Sequence, residues 1–287
     1  MSTTTTQHIE ADGLKILYRS AGPKDAPVLL LLHGFPSSSH QFRNLIPLLS
    51  HKYRVIAPDL PGYGFTEVPA SRNYVYTFEN IATSIGALLD VLKITKFSPY
   101  VFDYGGPTGF RLALQRPEAI QAIFTQNGNA YLEGLGEFWA PLQALWENDT
   151  PEQRLVIKNA LLGYETTKWQ YTNGAHGQPV APEAPFLDFA LMERPGNHQI
   201  QLDLFYDYRT NLPLYPLFQE YFRKSQVPLI AFWGKNDEIF VPAGAEAFKR
   251  DLPDAEIHLL DTGHFASETM TNVVGQLMLD FLARIGI

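Results

Sequence analysis

The chain of 287 residues has a formal net charge of −8 and no basic stripe, which excludes a nucleic-acid-binding surface because such surfaces rely on clustered Lys and Arg. It has no cysteine, so disulfides and thiolate metal sites are excluded and the cytoplasm is the expected compartment. Hydrophobic residues make up 45% of the chain, enough for one large core, yet no apolar run is long enough to span a membrane.

The N-terminal residues predict a tail followed by a hairpin. The stretch 2–6 is polar, with neither a basic start nor an apolar run, and is predicted to be a disordered tail. Between Ile9 and Tyr18, the pair Asp12-Gly13 separates two short segments with strand character, which is a strong hairpin signal. We therefore expect a leading pair of antiparallel strands.

Short apolar runs follow and predict parallel strands. They do not alternate with polar residues, as is typical of strands buried on both faces: Val28–Leu32, Val55–Ala57, Tyr100–Phe102 and Ile120–Thr125. A helix is predicted between the second and third runs, because apolar residues from Ile81 to Leu92 share one helix face, with Thr77 as N-cap and Glu79 in the first turn. Strand and helix therefore alternate.

This alternation stops after Asn127 and resumes at Val227. The stretch between them is rich in Trp, Tyr, Pro and helix-like segments, which predicts an insertion. Beyond it, strands and helices alternate again: Val227–Trp233, Ala243–Lys249, Glu256–Leu260 and Thr271–Ile285. The order predicts a mostly parallel sheet with helices on both faces, divided into a first core segment (1–133), a helical cap (134–225) and a second core segment (226–287).

A candidate nucleophile, Asp103, lies where a buried strand turns sharply into a helix predicted to begin near Pro107. Gly105 and Gly106 let the helix and neighbouring strands approach the turn, the requirement that shapes the nucleophile elbow of serine hydrolases. The nearby Ser98 precedes a proline in the strand and lacks framing glycines. The alternative for Asp103 is a helix N-cap, a position that would also keep its carboxylate ionised.

Four further motifs accompany this elbow, each following a predicted strand: His33-Gly34-Phe35-Pro36, Asp59-Leu60-Pro61-Gly62-Tyr63-Gly64-Phe65-Thr66, Gly234-Lys235-Asn236-Asp237 and Gly263-His264-Phe265. Together and in this order they resemble the α/β-hydrolase superfamily, in particular its aspartate-nucleophile branch of epoxide hydrolases and haloalkane dehalogenases. The resemblance covers nearly the whole chain. It implies an α/β-hydrolase fold with a mostly parallel eight-stranded sheet, flanking helices and an inserted helical cap, and a reaction without a cofactor or metal.

The resemblance also implies a catalytic triad. Asp103, Asp237 and His264 stand in the order nucleophile, acid, histidine that this fold uses. Taken alone, His264 could be a solvated loop residue and Asp237 a turn residue. In some dehalogenases the acid follows the preceding strand, but that place holds Asn127-Gly128-Asn129 here, so Asp237 is preferred.

The loop after the first parallel strand resembles an oxyanion hole. Its expected donors are the backbone amides of Phe35 and Tyr104, each of which can contribute about 3 kcal/mol to stabilising a developing oxyanion. His33 more simply braces the loop and is assigned no catalytic proton. Substrate contacts are expected from four residues: His33, Pro36, Trp169 and Phe265.

The cap should decide between epoxide and halide chemistry. The sequence around Tyr208, which precedes an arginine, resembles the cap tyrosine that protonates the opening epoxide; Tyr171 or Tyr164 would be the second donor, and ordinary packing is the alternative for each. A dehalogenase would need Trp after the nucleophile, where Tyr104 stands, which leaves Trp169 as its obvious halide donor. Two other indoles are expected in the cap core or pocket wall: Trp139 and Trp146.

The predicted function is hydrolysis of an epoxide to a diol through an ester between substrate and Asp103, which a water activated by His264 then hydrolyses. Its partners would be a small apolar molecule and water. The alternatives are a dehalogenase of the same fold and a non-catalytic ligand-binding protein that keeps the hydrolase shell. An esterase is disfavoured, because an acyl substrate would form an anhydride with an aspartate. Oligomeric state is not predicted.

Overall fold

A central sheet organises the chain in the computed structural model, which describes residues 3–287. Its strands are β1 (Thr5–Ala11), β2 (Leu14–Ala21), β3 (Val28–Leu32), β4 (Arg54–Pro58), β5 (Ser98–Phe102), β6 (Ile123–Gln126), β7 (Leu229–Gly234) and β8 (Glu256–Leu260). They form one eight-stranded sheet in the order β1-β2-β4-β3-β5-β6-β7-β8. β2 is antiparallel to both of its neighbours and the other pairs are parallel, so the predicted mostly parallel sheet is confirmed.

Helices cover the sheet and fill its longest connection. In chain order they are α1 (Leu45–Leu49), α2 (Phe78–Val91), α3 (Gly105–Gln115), α4 (Ala140–Glu147), α5 (Pro151–Leu161), α6 (Tyr164–Thr172), α7 (Glu183–Met192), α8 (Asn197–Asp207), α9 (Tyr215–Ser225), α10 (Ala243–Ala247), α11 (Ala266–Thr269) and α12 (Thr271–Arg284). Helices α4 to α9 lie between β6 and β7, in the stretch that the sequence assigns to the cap. None of the helices within residues 3–287 is long and apolar enough to cross a membrane.

The N-terminal hairpin is confirmed, but the tail before it is shorter than predicted. Asp12 and Gly13 both have positive φ, 53° and 73°, as a two-residue hairpin turn requires. Thr5 and Thr6, predicted to be disordered, pair in β1 with Ser20 and Arg19. The polar composition misled the prediction because an edge strand needs only backbone partners, whereas its side chains stay in water. Residue 2 lies outside the described residues.

The core has two layers, one on each face of the sheet. Successive residues of β3 alternate between them: Leu30 and Leu32 pack with apolar side chains of α2 and α3, whereas Leu29 and Leu31 pack with those of α1 and α12. This follows from the period of two along a strand. All four leucines are fully buried, and each contributes about 2 kcal/mol through removal from water.

The turn from β5 into α3 presents Asp103 at the end of the sheet. Its backbone adopts the left-handed conformation, with φ of 47°, and its carbonyl accepts a hydrogen bond of 2.8 Å from the Gly106 N–H. α3 begins at Gly105, two residues before the predicted start at Pro107. A Cβ at position 105 would lie 2.3 Å from the carbonyl oxygen of Leu32, so glycine is required for this close approach to β3.

We expect Gly105→Ala to destabilise the protein, because the added methyl group cannot fit without a shift of backbone. The free energy of unfolding, measured by denaturant titration, should fall by about 2 kcal/mol or more. Gly163→Ala is the matched control, since a Cβ at that position meets nothing within 4 Å, and its effect should stay below about 1 kcal/mol. Equal small losses for both variants would contradict the steric account of the elbow.

Candidate active site

Three loops at the carboxyl ends of parallel strands bring the predicted triad together. Asp103 follows β5, Asp237 follows β7 and His264 follows β8, the edge of an open α/β sheet where ligands bind. The His264 Nδ1 lies 2.7 Å from the Asp237 Oδ2, and its Nε2 lies 4.0 Å from the Asp103 Oδ2. All three side chains are buried, with residue exposures of 3 to 5%. Side chains arranged in this way can serve as a nucleophile, a base and an orienting acid.

The two oxygens of the Asp103 carboxylate have different surroundings. Oδ1 accepts a hydrogen bond of 2.6 Å from the Phe35 N–H, whereas Oδ2 faces His264. A Cβ at Gly34 would lie 2.3 Å from Oδ1, so a glycine is needed to bring this amide close. Burial raises the pKa of Asp103 to about 6, while the charge of His264 and the N–H groups of Phe35 and Tyr104 act in the opposite direction. Both amides expected in the oxyanion hole thus act on the carboxylate.

His264 is arranged to accept a proton at Nε2. Burial lowers its pKa, but the ion pair with Asp237 and the charge of Asp103 outweigh this effect, and the net pKa is raised above 6.5. Nδ1 is engaged by Asp237. Within the described part of the chain, Nε2 is buried and has no hydrogen-bond partner. An imidazole with one nitrogen bound to an acid and the other free is suited to activating a water.

Asn127 contacts the acid of the predicted triad, a contact that is not among those predicted from the sequence. Its Nδ2 donates to the Asp237 Oδ2 at 2.6 Å, and its Oδ1 accepts from the Gly234 N–H at 3.1 Å. Oδ1 of Asp237 accepts from the Ile239 N–H at 2.8 Å. Asn127 therefore fixes the acid from the end of β6. Its position at the end of β6 could have indicated this contact, because some dehalogenases carry the acid of the triad there.

The cap covers Asp103 and leaves a narrow, largely apolar cavity. The space that the centre of a water molecule can reach is about 10 Å³, room for about one water. Two lining residues have polar atoms that are buried and lack a hydrogen-bond partner among residues 3–287: the hydroxyl of Tyr104 and the Nε2 of Gln170. The full lining consists of Phe35, Asp103, Tyr104, Phe138, Trp139, Leu142, Gln170, Phe205 and Ile239.

Tyr208, the expected proton donor, lies near enough to the nucleophile for the charge of Asp103 to act on its hydroxyl: burial raises the pKa of Tyr208 well above its usual value, and Tyr215 and Asp103 add to the effect. Tyr208 is fully buried and has a tyrosine beside it, but its hydroxyl pairs with that of Tyr215 at 3.3 Å. Its ring packs on two residues of the cavity wall, 4.3 Å from the Trp139 ring and 5.8 Å from the Tyr104 ring, and it does not belong to the lining of the cavity as described.

The hydroxyl of Tyr171, the second expected donor, is engaged by residues outside the cavity lining. It donates to the Asp188 carboxylate and lies 3.3 Å from the Ser37 hydroxyl, and the ring stacks on Phe265 at 3.7 Å. Burial raises the pKa of Asp188 to about 8. The neighbouring residue on α6, Gln170, is the one that reaches the cavity.

None of the four expected substrate contacts belongs to the described cavity lining: His33, Pro36, Trp169 and Phe265. His33 instead braces the loop, as its alternative interpretation has it: its Nε2 accepts from the Leu60 N–H at 2.9 Å, and burial lowers its pKa to about 4. Pro36 follows a cis peptide bond. Trp169 stacks on Phe138, which is itself a lining residue.

The chain belongs to the α/β-hydrolase family: a family model described as alpha/beta hydrolase fold matches residues 27–270. It is 48% identical over 278 residues to the uncharacterized hydrolase YNR064C of Saccharomyces cerevisiae, covering 95% of this chain and 94% of that protein. The resemblance deduced from the motifs is confirmed, and the protein is a hydrolase of the α/β fold.

Solved structures with this fold include both enzyme classes considered above. The haloalkane dehalogenase DbeA from Bradyrhizobium elkani superposes with a TM-score of 0.81 at 22% identity, covering 99% of each chain. The epoxide hydrolase CorEH superposes with a TM-score of 0.80 at 21% identity, covering 99% of this chain and 100% of that one. At such identities the likeness establishes the fold alone.

We expect Asp237→Asn to lower the pKa of His264. An amide keeps the size of the acid but removes the negative charge, so burial would dominate and the pKa should fall below 6.5. Titration of the histidine ring protons by NMR measures the change. His33, with its pKa of about 4, is the internal control and should be unaffected. An unaltered His264 titration would show that Asp237 does not control its charge.

Proposed function

We propose that this protein hydrolyses small epoxides to diols through a covalent ester on Asp103. The observation that carries the proposal is the Asp103 carboxylate itself, held by the Phe35 N–H on one oxygen and facing His264 with the other. An aspartate so placed attacks carbon and gives an ester. The absence of cysteine keeps the cytoplasm as the expected compartment.

In the first step the Asp103 Oδ2 attacks an epoxide carbon, and the ring C–O bond breaks. The departing oxygen remains on the substrate as an alkoxide, which is strongly basic and needs a proton. The Tyr104 hydroxyl lies in the cavity wall without a partner among the described residues and supplies this proton. The product is a hydroxyalkyl ester of Asp103 and a tyrosinate.

In the second step His264 takes a proton from water, and the resulting hydroxide attacks the Cγ of Asp103. The negative charge develops on Oδ1, which already accepts from the Phe35 N–H, so the donor is preorganised for the tetrahedral intermediate. Collapse releases the diol, whose oxygen receives the proton from His264. The carboxyl group of Asp103 is released in its protonated form and returns this proton to the tyrosinate of Tyr104. The net reaction converts an epoxide and a water molecule into a diol.

The volume of the cavity limits the size of the substrate, and the donors near its wall bear on whether a halide could be the leaving group. With room for about one water, the cavity admits a substrate only when the cap moves, and the smallest movement suffices for a small terminal epoxide such as propylene oxide, which we propose as the substrate type. A departing halide needs weak N–H donors. The indole N–H of Trp139 in the cavity wall already donates to the Ile239 carbonyl at 2.7 Å, and that of Trp146 donates to Phe205 at 2.8 Å. These two indoles are therefore committed, and the hydroxyl of Tyr104, unpaired among the described residues and a proton donor that a departing halide does not need, favours the epoxide.

We expect His264→Gln to accumulate the covalent ester, because attack by Asp103 does not need the histidine but ester hydrolysis does. After incubation with propylene oxide, intact-protein mass spectrometry should show the chain heavier by the full mass of the epoxide. The double variant Asp103→Asn with His264→Gln is the control and should remain unmodified.

The outcomes of this trapping experiment separate the alternatives. Modification by a small bromoalkane with release of bromide, and none by epoxides, would replace the proposal by the dehalogenase alternative. Unmodified protein with every epoxide and haloalkane tested would contradict both and favour the non-catalytic alternative.

We expect Tyr104→Phe to slow ester formation from an epoxide by about 100-fold, since general acid catalysis contributes about that factor. Tyr208→Phe is the matched control, because the Tyr208 hydroxyl is engaged by Tyr215, and it should change the rate less than about threefold. The rate of ester formation is followed by quenched mass spectrometry in the His264→Gln background. A larger loss in Tyr208→Phe than in Tyr104→Phe would assign the acid to the cap tyrosine instead.

A further inference from the structure

Gln170 is a buried amide that projects from the cap into the cavity above Asp103. It lies on α6, is 2% exposed and belongs to the cavity lining together with the nucleophile. Its Nε2 is fully buried, and no hydrogen-bond partner for this atom exists in the part of the chain that the structure describes. The side chain therefore brings an unused donor to the reacting centre.

Packing does not explain an amide at this position. The rest of the cap's contribution to the lining is apolar or aromatic: Phe138, Trp139, Leu142 and Phe205. A methionine or leucine would fill the same space without leaving a donor unpaired, and burial of an unpaired polar group destabilises the folded state. Such a group is retained where a ligand completes its hydrogen bonds.

The neighbouring polar groups are already committed, which makes Gln170 distinctive. On the same helix, the Tyr171 hydroxyl donates to Asp188, and elsewhere in the wall the Trp139 N–H donates to a backbone carbonyl. Gln170 and Tyr104 are the lining residues with a buried unpaired donor among those described. Tyr104 belongs to the elbow and Gln170 to the cap, so the two donors reach the cavity from different parts of the fold.

We propose that Gln170 is a catalytic residue whose amide N–H binds the epoxide oxygen as the ring opens, beside the Tyr104 hydroxyl. This inference rests on the proposed function. An amide does not give up its proton, so Gln170 holds the developing alkoxide by a hydrogen bond while Tyr104 transfers the proton. The bond strengthens as negative charge grows on the oxygen, and it therefore lowers the barrier of the first step. In the second step that oxygen is an ordinary hydroxyl, and the contribution is small.

The experiment measures the rate of ester formation with propylene oxide in the His264→Gln background by quenched mass spectrometry. Gln170→Met keeps the length of the side chain and removes the donor, and it should slow ester formation at least about tenfold. Thr167→Val is the matched control. Thr167 is buried on the same helix with an unpaired hydroxyl, but it does not belong to the described cavity lining, so the rate should be retained.

A second variant covers the case in which Gln170→Met fails to fold. Gln170→Glu keeps the shape but places a second carboxylate near Asp103, so ester formation at pH 8 should be slower than in the Gln170 parent. With His264 intact, the rate of ester hydrolysis should stay within about threefold of the parent in either variant that folds, since the donor acts before that step. A purely structural role would impair both steps together.

The possible results distinguish the inference from the function on which it rests. Unchanged ester formation in a folded Gln170→Met or Gln170→Glu variant would overturn the role of Gln170 and leave the epoxide hydrolase proposal standing. Equal slowing of ester formation and ester hydrolysis would also overturn it. No ester in the His264→Gln parent would overturn the proposed function and this inference with it.

Discussion

The candidate site depends on one constraint: a carboxylate must be held, ionised and buried, in a left-handed turn at the end of β5. Asp103 is 5% exposed with φ of 47°, so both solvation and backbone conformation oppose it. The charge of His264 and the Phe35 N–H offset part of the loss of water, and burial still raises the pKa of Asp103 to about 6. Gly34 and Gly105 are needed because a side chain at either position would collide with Asp103 or with β3. The spacing of the motifs follows from these contacts.

The chemistry available above the nucleophile is decided by which polar groups the aromatic cap has already used. The rings of Tyr208, Tyr171 and Trp139 contribute to packing, and each polar end has a hydrogen-bond partner within the protein. Such pairing is what buried aromatic side chains with a polar end usually require. In the proposed reaction the leaving atom is therefore bound by Tyr104 and Gln170, whose donors remain unpaired within residues 3–287. The many aromatic residues of the cap therefore leave few free donors for the leaving atom, because the polar groups of Tyr208, Tyr171 and Trp139 are already hydrogen-bonded within the protein.

The structure confirms the sheet that the sequence predicts and brings the three predicted triad residues together, whereas the expected cap tyrosines do not belong to the cavity lining, for a physical reason. The strands and the motifs around Asp103 and His264 are local patterns whose geometry the backbone dictates. In the cap, adjacent residues of one helix point about 100° apart, so the orientation of α6 alone decides whether Tyr171 or Gln170 faces the cavity. That orientation is set by long-range packing, such as the stacking of Tyr171 on Phe265. The positions of tyrosines along the sequence do not reveal this orientation.

The electrostatics of the site also suit the order of the proposed steps. In the free enzyme both Asp237 and Asp103 act to raise the pKa of His264, and a histidinium in turn favours the ionised Asp103 that must attack. Once Asp103 is esterified its negative charge is gone, and the influence that it exerted on His264 disappears. The pKa of the imidazole must then fall, which increases its neutral fraction at the moment when it has to accept a proton from water. Esterification of Asp103 thereby makes His264 available as a base. Asp237 keeps its charge and stabilises the imidazolium that forms.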